Sequence, residues 1–217
     1  KELLEETNEL YNLIPQSTQI IACTATINQF TKRFFAGINN VILPNEDILT
    51  KRITHWAIYA EQRDKIETLR KFLLAEKPGK VLIFTSRADQ VENITSKLKY
   101  KNFECASIHA KSDKQERKAT LDRFRSGKNK ILITSDLAAR GLDIPNITHI
   151  VQMDLPSDED FFIHRSGRTA RAGKTGINVV IGDEFEMNQF AKLEKKLKIT
   201  VYPKEIYGGK VLAPRMD

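Results

Sequence analysis

Apolar runs of strand length alternate with amphipathic stretches of helix length over the last three-quarters of the chain. The runs are almost continuously apolar, which is typical of strands buried on both faces of a parallel sheet. Strands are predicted at 80–85, 104–108, 130–134, 148–153 and 177–181. Helices are predicted at 88–98, 114–124 and about 184–197. This alternation predicts an α/β fold in which a parallel sheet is covered by helices on both faces.

The first fifty residues follow a different pattern. A helix is predicted at 2–13 and a strand at 19–23, followed by Thr24-Ala25-Thr26 and another short helix. One strand and two helices cannot form a sheet of their own, so this part is predicted to be the end of a domain. The predicted organisation is a domain remnant at 1–43, a linker at 44–54, a complete domain at 55–208 and a tail at 209–217.

Composition and charge limit the class of protein. The chain has 217 residues, of which 41% are hydrophobic and 29% charged, an ordinary composition for a soluble globular protein. Its apolar runs are far shorter than the ~20 residues of a membrane span, so no membrane partner is predicted. The net charge of +7 favours a polyanionic partner. Cys23 and Cys105 have no metal-type spacing, which favours a reducing cytoplasm.

Three arginines in the stretch 164–173 are the strongest chemical feature. Arg165, Arg168 and Arg171 are spaced so that, along a helix, they project from neighbouring positions. With no carboxylate between them, their guanidinium groups repel each other unless an anion lies among them. Arginine suits phosphate, because its planar fork donates two parallel hydrogen bonds and stays charged. The stretch therefore predicts an anion site.

The residues around these arginines bear on that prediction. Residues 157–160 are predicted to form a capping box that starts the helix. A solvated basic helix end is the alternative interpretation of the arginines. Gly167 and Gly173 favour the anion site, because they allow a close backbone approach that a solvated face does not require.

The stretch 135–145 directly follows a predicted strand, where parallel sheets present their ligand-binding loops. Gly141 permits an unusual backbone turn, and Asp143 is an acceptor suited to hydroxyl groups such as those of a ribose. The alternative is a structural salt bridge between Asp136 and Arg140 in a tight turn. Taken alone, this stretch leaves both interpretations open.

Together, the two stretches resemble motifs V and VI of superfamily 2 helicases, in the form found in DEAD-box RNA helicases. The segment Thr24-Ala25-Thr26 is similar to the family's Ser-Ala-Thr motif III. Residues 82–86 resemble motif IV, and 109–117 with 123–127 resemble the stretch that contains motif IVa. The resemblance covers nearly the whole chain, in the expected order. The chain differs from the usual family residue at Thr24, Arg87, Ala110, Lys114, Ser135 and Ala170.

For the nucleotide, the resemblance implies a site between two RecA-like domains, of which this chain holds the second. ATP and Mg²⁺ would be held by the missing first domain, since the phosphate loop and the Asp-Glu-Ala-Asp motif do not occur here. Arg168 and Arg171 would act as arginine fingers, while Asp143 and the backbone at Gly141 would hold the ribose. The chain by itself is therefore predicted to be inactive as an ATPase.

For RNA, the resemblance implies that His164, Thr24 and Thr26 couple closure at the nucleotide to the RNA. The expected partners are RNA and the first motor domain, in a monomeric protein. Contacts to the RNA backbone are expected from Ser135, Arg87, Ala110, Lys111 and Arg117.

Two alternatives come from other functional classes. A DNA-translocating superfamily 2 motor shares the arginine cluster, but it commonly has Gln where His164 stands. A non-catalytic module that binds RNA or a protein has no use for arginines aimed at a γ-phosphate. The resemblance therefore favours half of an ATP-dependent RNA helicase.

Overall fold

The computed structural model of the chain describes residues 2–15, 17–19, 48–109, 112–139 and 142–215. The chain divides into two compact units, Lys1–Ile42 and Leu43–Asp217. The first unit contains helix α1 (Glu2–Leu13). The second unit contains α2 (Ile48–Lys51), β1 (Ile53–Tyr59), α3 (Lys65–Glu76), β2 (Val81–Thr85), α4 (Ala88–Tyr100), β3 (Cys105–Ile108), α5 (Lys114–Arg125), β4 (Ile131–Ser135), α6 (Asp136–Ala139), β5 (His149–Gln152), α7 (Glu159–Ser166), β6 (Gly176–Gly182), α8 (Glu184–Leu197), β7 (Val201–Tyr207) and β8 (Lys210–Leu212).

The strands form one eight-stranded sheet in the order β3-β4-β2-β5-β6-β1-β7-β8. Neighbouring strands are parallel except for β7 and β8, which are antiparallel. Parallel pairing requires long crossover connections, and helices supply them between successive strands. The predicted α/β architecture, a parallel sheet with helices on both faces, is confirmed.

Alternate residues of the strands face opposite layers of helices. In β2, Val81 and Ile83 pack with α3 and α4, whereas Leu82 and Phe84 pack with α5 and α6. Helices α7 and α8 cover β6 on the second of these faces. Burial of a side chain such as these contributes about 1.5–3 kcal/mol relative to its exposure. Two buried faces therefore explain why the strands are continuously apolar.

Several helices begin at an aspartate that caps free backbone N–H groups. Asp113 accepts hydrogen bonds from the first turn of α5, and Asp183 forms a capping box with Glu186 at the start of α8. These caps explain why the predicted and observed starts of both helices agree. Within the described ranges, no helix combines the length and the apolar character needed to cross a membrane.

Two boundaries differ from the sequence prediction. The predicted linker 44–54 contains α2 and the start of β1, because Ile53 already pairs with Gly176 of β6. The predicted tail contains β8. Gly208 and Gly209 have φ angles of 55° and 72°, which suit the two-residue turn that joins β7 to β8.

Candidate functional site

The candidate residues follow the carboxyl ends of neighbouring strands. Strands β4, β2 and β5 lie side by side in the sheet and run parallel, so their carboxyl ends share one edge. Ser86 and Arg87 follow β2, Asp136 follows β4, and Asp154 follows β5. Ligands of open parallel sheets bind beyond this edge.

Arg165 is the buried centre of this edge. Its side chain is 1% exposed and makes two parallel bonds to Asp136, Nε–Oδ1 and Nη2–Oδ2, both 2.6 Å long. Its Nη1 donates to the backbone carbonyl of Asp154 at 3.0 Å and to the carboxylate at 3.2 Å. Its Nη2 also donates to Ser86 Oγ at 2.9 Å, and the guanidinium lies over the Phe84 ring. Arg165 therefore joins the ends of three strands to helix α7.

Asp154 completes this centre from the strand side. Its carboxylate accepts from the Ser86 amide at 2.8 and 3.0 Å, from Ser86 Oγ at 2.5 Å and from Thr85 Oγ1 at 2.8 Å. The carboxylate thus holds the loop after β2 while it pairs with Arg165. Sequence reasoning missed Asp154, although its position directly after the strand predicted at 148–153 could have indicated it.

The predicted cluster of three equivalent arginines is wrong for Arg165. Carboxylates that are distant in sequence neutralise it, and only 1% of its side chain is exposed. Asp136 pairs with Arg165; the alternative pairing with Arg140 involves a residue outside the described ranges. The arginines also do not share a helix. Helix α7 ends at Ser166, so Arg168 and Arg171 lie in the turn that follows.

The start of α7 also differs from the prediction, and the flanking glycine has a local role at the end of the helix. Asp158 caps the helix by accepting from the Asp160 amide at 2.9 Å, so residues 157–160 do not form the predicted capping box. A Cβ at Gly167 would lie 3.1 Å from the Ile163 carbonyl oxygen. Gly167 therefore permits the tight end of α7, a local reason for glycine at this position.

Arg168 and Arg171 lie beside the loop that follows α6. Arg168 Nη1 donates to the Leu142 carbonyl at 2.7 Å, and Arg171 Nη1 pairs with Asp143 Oδ1 at 2.8 Å. Burial lowers the pKa of Arg168, and the neighbouring Arg171 charge lowers it further. The Asp143 side chain is 90% exposed. Arg168 and Arg171 thus place two guanidinium groups next to the accessible carboxylate of Asp143.

The turn that carries Arg171 has unusual backbone geometry. Ala170, Ala172 and Gly173 have φ angles of 56°, 52° and 77°, the left-handed region that disfavours alanine. Thr169 anchors the turn, since its hydroxyl donates to the Ile147 carbonyl at 2.5 Å. Backbone strain of this kind is found at sites whose side chains must be held in place.

Ala172→Gly is therefore expected to stabilise the domain by about 0.5–1 kcal/mol, because glycine removes the strain at an exposed position. The measurement is the urea midpoint of unfolding. Ala191→Gly is the matched control, an exposed alanine inside α8, and should destabilise by about 1 kcal/mol. Equal destabilisation by both variants would show that the left-handed turn carries no strain.

An open cleft of about 450 Å³ lies beside the buried centre. His164 and Arg168 line it together with the Asp136 carboxylate, so the cleft combines cationic, anionic and imidazole groups. Among the residues that the structure describes, no group of three or more His, Cys, Asp or Glu side chains could hold a metal ion. The lining residues are Phe84, Asp136, Ala139, Asp158, Asp160, Phe161, His164, Arg165 and Arg168.

The predicted RNA contacts occupy three different environments. Arg87 is exposed and pairs with Asp89 at 2.7 Å. Arg117 Nη2 donates to the Ala138 carbonyl at 2.7 Å, so it ties α5 to α6. Ser135 is only 5% exposed, so its hydroxyl is not presented as an open contact. Arg87 is thus the most accessible of the three.

Several predicted site residues lie outside the described ranges. They are Gly141 of the nucleotide site, Ala110 and Lys111 of the RNA surface, and the coupling residues Thr24 and Thr26.

Arg125 is a further contact that sequence reasoning missed. Its Nε and Nη2 donate to the Asp143 carbonyl at 3.3 and 3.1 Å, which supports the loop under the Arg171 pair.

Comparison with known proteins gives a family match over the same residues. The model of the helicase conserved C-terminal domain matches residues 64–173. The chain is 38% identical over 157 residues to the DEAD-box ATP-dependent RNA helicase CshC of Bacillus cereus, covering 72% of this chain and 40% of that protein. It is 29% identical to the ATP-dependent RNA helicase eIF4A of Meyerozyma guilliermondii, covering 88% and 50%. The chain spans about half the length of these relatives.

Solved structures show the same architecture. The Saccharomyces cerevisiae protein Dbp5, bound to RNA and ADP BeF3, aligns with a TM-score of 0.77 at 27% identity. The alignment covers 92% of this chain and 55% of Dbp5. A DEAD box protein from Methanococcus jannaschii aligns with a TM-score of 0.67 at 20% identity, covering 94% and 56%. The RecA-like fold implied by the sequence resemblance is confirmed.

Proposed function

Because this chain belongs to the helicase conserved C-terminal domain family, in its DEAD-box RNA helicase form, we propose that it is the second motor domain of an ATP-dependent RNA helicase. In this proposal it supplies arginine fingers to an ATP site shared with a first motor domain. It also supplies part of a surface that binds the RNA backbone. The first domain would hold the triphosphate and Mg²⁺ through residues that do not occur in this chain.

The observation that carries the proposal is that three equally spaced arginines have different hydrogen-bond and ion-pair partners. Arg165 is neutralised by buried carboxylates, whereas Arg168 donates to a neutral carbonyl and Arg171 pairs with the exposed Asp143. Guanidinium groups held by a rigid turn, without a buried counter-charge, suit an anion that arrives from outside the domain. A γ-phosphate held by another domain is such an anion.

The chemistry assigned to these residues is electrostatic. ATP, when bound, supplies a phosphoryl group on which negative charge is redistributed during transfer. Arg168 and Arg171 would donate hydrogen bonds to its oxygens and stabilise that charge. For Arg171 this requires exchange of the Asp143 carboxylate, which would then be free to accept from ribose hydroxyl groups. The exposure of Asp143 supports this exchange, because a surface ion pair contributes only about 0–1 kcal/mol.

RNA binding is proposed to be sequence-tolerant, since backbone contacts carry no base information. The chain should bind single-stranded oligo-U and oligo-A of equal length with similar, weak affinity. Fluorescence anisotropy at ~50 to ~200 mM salt should show a steep loss of affinity, because each phosphate contact releases counterions.

Arg87→Ala tests the placement of this surface. It should reduce the slope of log affinity against log salt by about 0.7, the value of one contact to a single strand. Lys71→Ala on α3 removes the same charge from an exposed position on another element and should leave the slope unchanged. Equal effects of the two variants, or an affinity independent of salt, would exclude this RNA surface.

A further inference from the structure

A line of buried polar side chains crosses the sheet from its centre towards β1. His55, Asn178 and Gln152 belong to the neighbouring strands β1, β6 and β5, and each is at most 1% exposed. His55 lies directly opposite Asn178 in the strand register. The line starts at Arg165 on α7 and ends at the Leu49 carbonyl on α2. It therefore connects the buried centre of the site to the helix that precedes β1.

The hydrogen bonds of this line all run in one direction. Arg165 Nη1 donates to Gln152 Oε1 at 3.3 Å, because arginine can only donate. Gln152 Nε2 then donates to Asn178 Oδ1 at 2.9 Å. Asn178 Nδ2 lies 3.2 Å from His55 Nδ1, and His55 Nε2 lies 2.9 Å from the Leu49 carbonyl.

The two ends determine the histidine tautomer. The Leu49 carbonyl can only accept, so His55 Nε2 must carry the proton. Nδ1 is then an acceptor, which matches the amide donor of Asn178. Burial lowers the pKa of His55, which keeps the imidazole neutral as this arrangement requires. A protonated ring would place its Nδ1–H opposite the amide donor of Asn178 and break the line at β1.

The need to hydrogen-bond buried polar groups does not explain why the residues at these three positions are polar. The adjoining strand residues Val151, Val179 and Val180 are fully buried and apolar. Apolar residues at the three polar positions would have removed the cost of desolvation. A fully satisfied polar network contributes geometric specificity instead, because every member is fixed by its neighbours.

The Arg165 end of the line is where geometry matters for the site. Gln152 contacts α7 twice, at Arg165 and, through Nε2 at 3.4 Å, at Ser166 Oγ. His164 precedes these two residues on α7, and Arg168 follows them in the adjoining turn. A shift of Gln152 would therefore move the two candidate side chains that line the cleft.

We propose that His55, Asn178 and Gln152 are positioning residues that fix α7, and with it Arg168 and His164, relative to α2. Their catalytic consequence rests on the proposed function. Their structural consequence does not, because it concerns hydrogen bonds within the second unit alone. Because the line is continuous from α2 to α7, a displacement of α2 would also move Arg168 and His164.

The structural part is tested on the 217-residue chain without ligand. Nitrogen-15 NMR should show His55 as the neutral tautomer protonated at Nε2, and His55→Phe should shift the Nε–H signal of Arg165. His149→Phe is the matched control, because His149 is also buried in a strand but contacts Thr148 and Glu76 and no member of the line. A His55 ring protonated at Nδ1, or an Arg165 signal that His55→Phe leaves in place, would overturn the proposal.

The catalytic part is tested in the chain joined to a first motor domain. His55→Phe should lower kcat for ATP hydrolysis about 10- to 100-fold, as expected for misplaced catalytic groups, and change the KM for ATP much less. His55→Gln keeps one donor and one acceptor and should restore most of the loss, while His149→Phe should leave kcat intact below its melting temperature. Equal kcat in the two phenylalanine variants would overturn the positioning role. An inactive parent would instead refute the proposed function, and the NMR result would still decide on the line.

Discussion

Arg168→Ala or Arg171→Ala, in this chain joined to a first motor domain, is expected to lower kcat for ATP hydrolysis by about 10³–10⁵. The KM for ATP should change little. An arginine finger acts on charge that develops in the transition state, so its loss appears in kcat rather than in ground-state binding. The measurement is a steady-state titration of ATP with RNA saturating.

Two further substitutions separate this account from general loss of charge. Arg168→Lys and Arg171→Lys should rescue poorly, because an ammonium group cannot form the planar bidentate fork. Asp143→Ala should raise the KM for ATP instead, since a ribose contact is present in the ground state and the transition state alike. If both alanine variants kept their kcat, the turn after α7 would be structural or would face RNA.

Arg165→Met is expected to lower the free energy of unfolding by about 3–5 kcal/mol, the cost of breaking a buried ion pair. The substitution leaves Asp136 and Asp154 without their cation and unties the ends of three strands. Urea unfolding of the 217-residue chain measures it. The matched comparison is Arg171→Ala, which breaks a surface pair and should cost no more than about 1 kcal/mol.

Asp154→Asn provides a milder test of the same centre if Arg165→Met does not fold. It keeps the shape of the side chain but removes the charge that faces Arg165. It should destabilise the chain more than Asp143→Asn, which removes the charge of the exposed partner. Equal stabilities of Arg165→Met and Arg171→Ala would mean that Arg165 is not the structural member of the three arginines.

The fold was predictable because its signals are local. Residues such as Val81 and Leu82 are buried by helices on opposite faces of the sheet, so the strands appear as continuous apolar runs. Helix α8 follows its own capping aspartate, Asp183, and its predicted bounds match the structure. The structure differs from the predicted bounds at the edge of the second unit, where Gly208 and Gly209 form the turn between β7 and β8.

The site was predictable only in part, because its decisive contacts join residues distant in the chain. Arg165, Arg168 and Arg171 look equivalent in sequence. The carboxylates that make Arg165 different lie 29 and 11 residues away, at Asp136 and Asp154. The order of the strands in the sheet brings these groups together. Residue spacing within one segment of the sequence does not indicate that order. The polar line from Gln152 to His55 was missed for the same reason.

The central claim is that this chain holds one half of an ATP site, and ATP turnover by the chain with and without a first motor domain tests it most directly. The 217-residue chain alone should show no hydrolysis above background, with or without RNA. Joined to a domain with a phosphate loop and an Asp-Glu-Ala-Asp motif, it should hydrolyse ATP in an RNA-dependent manner that Arg168→Ala abolishes. Turnover by the chain alone that Arg168→Ala abolishes would contradict the claim, because the site would then be complete within this chain.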